Sequence, residues 1–103
     1  MSAYVLHPDA YTDLSEIWEF IAEDDVDAAD RVLGEIFESI RSLVPFPHQG
    51  HTRPDLTTRP LRFQIVRDFL IAYVPDEKPL LVIAVLHGRR SPRVMAAILE
   101  HFS

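Results

Sequence analysis

Leu80-Leu81-Val82-Ile83-Ala84-Val85-Leu86 is the stretch on which the fold turns. It has no polar member. A strand apolar on both faces is usually covered on both faces, so the run reads as a central strand. A buried helix gives a similar run, but the Val and Ile content, the short length and Pro79 just before it favour a strand. His87-Gly88-Arg89-Arg90 follows, then Ser91-Pro92, a helix start with Ser as N-cap and Pro at the first helical position. A greasy strand thus delivers an imidazole and two guanidiniums to its carboxyl end. Two readings stand: these side chains mark the strand's exit into solvent, or they form a working site.

Upstream, Pro75-Asp76-Glu77-Lys78-Pro79 is a turn, and Phe69-Leu70-Ile71-Ala72-Tyr73-Val74 before it is another apolar strand. Arg67-Asp68 is too short for anything but an antiparallel hairpin. The preceding stretch, Arg59 to Val66, alternates: Leu61, Phe63 and Ile65 share one face, Arg62, Gln64 and Val66 the other. Arg62 and Arg67 read as solvent-facing or salt-bridged to the acidic helical hairpin of the first half. Phe46 to Pro54 is a loop by its Pro and Gly content. His48 and His51 within it suggest a metal pair, but no third ligand is near in sequence, so a packed turn is preferred and no metal site is expected.

The first half is helical. Ala29, Val32, Leu33, Ile36, Ile40, Leu43 and Val44 repeat at three and four, with Asp25 or Asp27 as cap and Pro45 and Pro47 as stop. Ala10, Leu14, Ile17, Trp18 and Ile21 form an earlier stripe opened by His7 or Asp9, with Asp13, Glu16, Glu19 and Glu23 mainly off it. Trp18 reads as core or interhelical packing, or else as a partner-binding anchor. The acidic break at residues 23–27 is so short that the two helices must be antiparallel neighbours, and their stripes need a sheet to lie on. Ala3 to Leu6 is a short strand candidate. The last helix, Pro92 to about Phe102, is expected to turn Val94, Ala97, Ile98 and Phe102 inward. The fold class is α+β: an N-terminal strand, an antiparallel helical hairpin on a small antiparallel sheet with a three-strand meander, and a short C-terminal helix.

One hundred and three residues make a single domain, 1–103, with room for one modest core. No apolar run reaches the ~18–20 residues needed to cross a bilayer. The N-terminus does not read as a signal peptide, and without cysteine there is no disulfide or thiolate site, so a cytoplasmic protein is expected. A net charge of −6 argues against a general nucleic-acid binder. Residues 1–52 carry eleven acids and two bases, residues 53–103 five acids and eight bases. Different faces can therefore meet partners of opposite charge.

Four stretches, taken in order, carry a resemblance over nearly the whole chain. They are Tyr4-Val5-Leu6-His7-Pro8-Asp9-Ala10 with Asp13-Leu14 and Ile17 to Ala22; Ala28 to Leu33 running on to Ile40-Arg41-Ser42-Leu43; Phe46 to Gly50 with Arg53-Pro54-Asp55-Leu56; and Leu61-Arg62-Phe63 through Tyr73 to Val85-Leu86-His87-Gly88-Arg89-Arg90. Their order and spacing resemble the ParE/RelE toxin superfamily, its ParE-like plasmid-stabilisation branch in particular. The resemblance implies the toxin of a type II toxin–antitoxin module, held inactive in a hetero-oligomer by a ParD-like antitoxin and using no cofactor. ParE-like members typically poison DNA gyrase; RelE-like members cleave mRNA on the ribosome.

Fold alone does not choose between these. Metal-free RNA cleavage needs a base, cations and an acid. RelE-like enzymes resemble one another in clustering Lys and Arg with a Tyr or His near the C-terminus. This chain has one lysine, Lys78, and no tyrosine after Tyr73. Arg62, His87, Arg89 and His101 are the candidates for such a site, and an anionic protein approaches ribosomal phosphates poorly. The leading reading is a non-catalytic, gyrase-binding toxin. His87, Arg89, Arg90 and Arg93 are its expected target contacts, because arginine's planar fork pairs bidentately with carboxylates or phosphates. Trp18, Phe20, Phe37 and Tyr73 are the expected antitoxin contacts, Phe20 and Phe37 because they fall partly off their helices' stripes. A degenerate toxin that keeps only antitoxin binding is a third reading.

Overall fold

A computed structural model of the chain describes residues 3–100. Strand β1 (Tyr4–Leu6) leads into helices α1 (Pro8–Ala22) and α2 (Val26–Leu43). The meander follows as β2 (Arg62–Val66), β3 (Phe69–Val74) and β4 (Leu80–His87), and helix α3 (Pro92–Leu99) closes the order. The helix starts are those their capping residues dictate. His7 Nδ1 accepts from the Asp9 N–H, Asp25 from Ala28 and Ser91 from Val94, each satisfying a donor the first turn leaves free.

The sheet runs β1-β4-β3-β2. The meander is antiparallel, and Arg67, at φ 53°, opens its two-residue turn in the left-handed conformation such hairpins use. The expected sheet was antiparallel throughout. Instead β1 joins β4 in parallel, Tyr4 opposite Leu80 and Leu6 opposite Val82, because the intervening helices form the long crossover that parallel neighbours require. The apolar run Leu80–Leu86 of β4 is therefore central at its start, as its composition demands.

Each face of the sheet carries a core. Leu14, Val32, Ile36, Ile40 and Leu43 of the helical hairpin pack on Ile71, Tyr73, Val82 and Val85. Met95 and Leu99 of α3 pack with Leu56, Phe63, Leu70, Ala72 and Leu86 on the other face. The inward residues of α3 are thus Met95 and Leu99, with Ile98 beside them, rather than Val94 and Ala97, which are exposed. Phe102 lies outside the described residues. Burial of each large aliphatic chain contributes roughly 1.5–3 kcal/mol.

Two departures from regular pairing matter for the surface. First, β3 and β4 slip by one: Ala72 faces Ala84, but Tyr73 faces Val82. Ile83 is the extra residue of a bulge, so Ile83 and Ala84 both enter the α3 core and Val85 returns to the hairpin side. His87, two residues on, emerges on the hairpin side; uninterrupted alternation would have sent it to the α3 side. Second, β1 ends at Leu6, leaving the outer edge of β4 uncovered beyond Val82. Helix α1 crosses there, and Asp13 Oδ2 accepts the Val85 N–H at 3.0 Å.

The loop from Val44 to Leu61 is tied back across β2 and β3. His51 and Phe63 exchange both backbone hydrogen bonds, at 2.9 and 2.8 Å. The Tyr73 hydroxyl accepts the Gly50 N–H at 3.0 Å and donates to the Pro47 carbonyl at 2.7 Å. Arg62 donates to the Gly50 carbonyl at 2.7 Å.

Candidate binding surface

The end of the sheet formed by the β2–β3 turn and the residues after β4 gathers the cations. The Gly88 N–H donates to the Asp68 carbonyl at 2.6 Å, and a Cβ at position 88 would stand 2.9 Å from that oxygen. Glycine is what allows the two loops to close. Arg89 Nη2 lies 3.3 Å from Asp68 Oδ2, yet its side chain is 77 % exposed. Arg90 makes no direct ion pair among the described residues, and its charge is felt at Asp13. The His87 ring meets Phe69 edge-on, centroids 5.4 Å apart, and its Nδ1 accepts the Arg89 N–H at 3.3 Å. Arg93 stands exposed in the first turn of α3.

These residues border a groove of about 540 Å³ between α1 and the sheet end. Ile17, Ile21, Phe69 and Val85 supply apolar wall, and Phe20, 75 % exposed, stands at its mouth. His87, Arg67, Arg89 and Arg90 rim one side; Asp13 and Glu16 rim the other. Arg67 is held by a bidentate pair to Glu35 of α2, at 2.9 and 2.6 Å, the contact with the acidic hairpin read as one option from sequence. That guanidinium holds the Glu35 carboxyl below its ordinary range.

Asp13 was missed in the sequence as a contributor here. Read from the sequence as mainly off the inward stripe, it in fact falls within it, three residues after Ala10 and four before Ile17, and meets the sheet at Val85. Half-burial pushes its carboxyl up, with Glu16 and Asp9 adding to this, while the Val85 N–H and Arg90 pull it down. The folded state thus holds this proton more tightly than the unfolded chain. Its contribution favours folding in acid and is lost as pH rises from about 3.8 through the raised folded value. Asp13→Ala is expected to cost about 1–3 kcal/mol in urea unfolding, because the Val85 N–H loses its acceptor. Asp13→Asn keeps an acceptor oxygen without the charge and should remain near wild-type stability at neutral pH.

The four expected antitoxin contacts part ways. Trp18 and Phe37 come together in an apolar groove of about 210 Å³ between α1 and α2, with Tyr11 and Leu33 beside them. Both are half-buried, and Trp18 Nε1 donates to Asp30 at 2.9 Å, linking the two helices. Phe20 lies on the sheet-end groove instead. Tyr73 is a correction: it is 0 % exposed, locked under the Gly50 loop, and offers no surface to a partner. Burial raises its hydroxyl above the usual range, so it stays a neutral donor.

The three described residues of the nuclease alternative, Arg62, His87 and Arg89, are not assembled into one site. His87 and Arg89 sit together, but Arg62 is opposite Tyr73 while His87 is opposite Phe69. Four residues of strand, about 13 Å, separate those positions. Arg62 is also committed to the Gly50 carbonyl, and His101 lies outside the described residues. His48 and His51 also have separate tasks: His48 Nε2 is 3.1 Å from Asp76, and the His51 backbone pairs with Phe63.

Comparison with known proteins accords with this architecture. A family model described as "ParE toxin of type II toxin-antitoxin system, parDE" matches residues 4–92. A search of the curated proteins found no significant match. Among solved structures the fold is similar to a chain of the "Chromosomal ParDE TA system from P. aeruginosa", at TM-score 0.69 and 18 % identity over 84 % of this chain and 96 % of that one. With the family match spanning all four strands and both hairpin helices, the chain belongs to the ParE toxin family of type II toxin–antitoxin systems.

Proposed function

We propose that this chain halts growth in the cytoplasm by docking on DNA gyrase through His87, Arg89, Arg90 and Arg93, with no chemistry of its own. A cognate ParD-like antitoxin neutralises it by covering the grooves that Trp18, Phe37 and Phe20 line. The observation that carries this reading is how the basic side chains are divided. His87, Arg89 and Arg90 form one rim beside an apolar groove, the composition of a protein-docking surface. Arg62, which a nuclease reading needs beside them, is spent at the far end of β2 on a loop carbonyl. A proton-transfer site requires its groups within hydrogen-bond reach of one another's substrate atoms, and these stand about 13 Å apart along the strand.

The test pairs two assays. The purified chain should inhibit gyrase supercoiling and leave ribosome-bound messages uncut, and its expression without antitoxin should produce filamentation and a DNA-damage response. Growth arrest should persist in His101→Ala. Rapid translation arrest with messages cut inside ribosomes would replace this reading with the nuclease one. Binding of antitoxin without any toxicity would leave a degenerate toxin.

A further inference from the structure

Among the described residues, the outer edge of β2 is closed only at its start, where Phe63 pairs with His51. Strand alternation turns the N–H and C=O of Ile65 the same way as those of Phe63. Among the described residues no backbone group outside the sheet meets them. The Ile65 side chain is 65 % exposed. Beside it a second groove, about 330 Å³, opens on the α3 face of the sheet end, with Leu70 and Met95 in its wall. Arg53, Arg67, Arg89 and Arg90 line it too, against a single acid, Asp68. This is a cationic pocket on a protein of net charge −6. Proteins usually blunt an open edge with charge, proline or a covering loop; here the edge residue is apolar and exposed.

We propose that Ile65 and this groove form a strand-docking site for an extended acidic segment of the protein that the chain poisons. The segment's backbone pairs with Ile65, an apolar side chain enters the groove, and carboxylates at alternate positions reach the guanidiniums. The pairs Arg53–Asp55, Arg67–Glu35 and Arg89–Asp68 are partly exposed and do not bar this, because surface ion pairs of this kind are weak. Arg89 and Arg90 border both this groove and the rim assigned to the target, so the inference rests on that reading in taking the segment from the target.

The probe is a fluorescein-labelled, end-capped octapeptide alternating glutamate and valine, with its lysine–valine counterpart as control, followed by anisotropy and amide exchange. The acidic peptide should bind about tenfold or more tightly than the control, weaken with salt and slow exchange at the Ile65 amide. Ile65→Pro should lose about tenfold in affinity with the fold intact, since proline is tolerated where an edge N–H points away from the sheet. Ile65→Glu, at an exposed position, should lose as much and guards against misfolding of the proline variant. Equal binding of both peptides, unchanged binding by both variants, or protection confined to Val5 on β1 would each overturn the proposal. Gyrase assays separate the two claims. Peptide binding without gyrase inhibition supports the docking edge and removes gyrase as the target. Gyrase inhibition undiminished in both Ile65 variants keeps gyrase and overturns the edge.

Discussion

Gly50→Ala is expected to destabilise the fold by about 3–5 kcal/mol, a large part of the ~5–15 kcal/mol that holds a domain together. A Cβ on residue 50 would stand 2.5 Å from the Tyr73 hydroxyl and 2.8 Å from the Phe63 carbonyl. The carbonyl cannot yield freely, because it accepts the His51 N–H at 2.9 Å. If the tyrosine moves instead, the Gly50 N–H and Pro47 carbonyl lose their partner, and Arg62's bond to the Gly50 carbonyl is disturbed with them. Overpacking and unpaired buried groups therefore add. Tyr73→Phe isolates the second cost and should lose only about 1–3 kcal/mol. Urea unfolding of both variants checks this. A Gly50→Ala midpoint within about 2 °C of wild type in a thermal melt would show that the loop relaxes at little cost.

The second large effect is on binding rather than folding. Arg89→Glu/Arg90→Glu should weaken target binding by about a hundredfold or more, roughly 3 kcal/mol, and abolish growth arrest. Both side chains stand past the end of β4 and outside either core, so the melting temperature should hold. The reversal also sets a carboxylate beside Asp68, which removes the pairing that orients Arg89. A double variant that still halts growth would move the target contact elsewhere. One that fails to fold would show that Arg89 or Arg90 is structural.

Much of the fold was legible because it rests on local rules. The capping residues His7, Asp25 and Ser91 start their helices at the expected places. The stripe from Ala29 to Leu43 buries the face its spacing assigns, and the two-residue turn at Arg67-Asp68 leaves only a hairpin. The site was legible in composition but not in layout. The expectation for Tyr73 failed on information already present: Phe69 to Val74 is apolar on both faces, which implies cover for both. For Ile65, alternation gives the shared face with Leu61 and Phe63 but does not reveal that its strand lies at an edge.

By itself, then, the sequence determined the order of strands and helices, the central place of Leu80–Leu86, the division of charge between the two halves, and the presence of an imidazole and two guanidiniums, those of His87, Arg89 and Arg90, at one strand end. These follow from side-chain periodicity, capping chemistry and counting, which depend on near neighbours alone. Only the tertiary structure decided that β1 enters in parallel, that a bulge at Ile83 turns His87 toward the hairpin, and that Asp13 caps the open edge of β4. It likewise decided that Arg62 stands a strand's length from Arg89. Each depends on which distant segments meet and in what register. A one-residue slip reverses every later side chain of a strand, and no local pattern in β4 announces it.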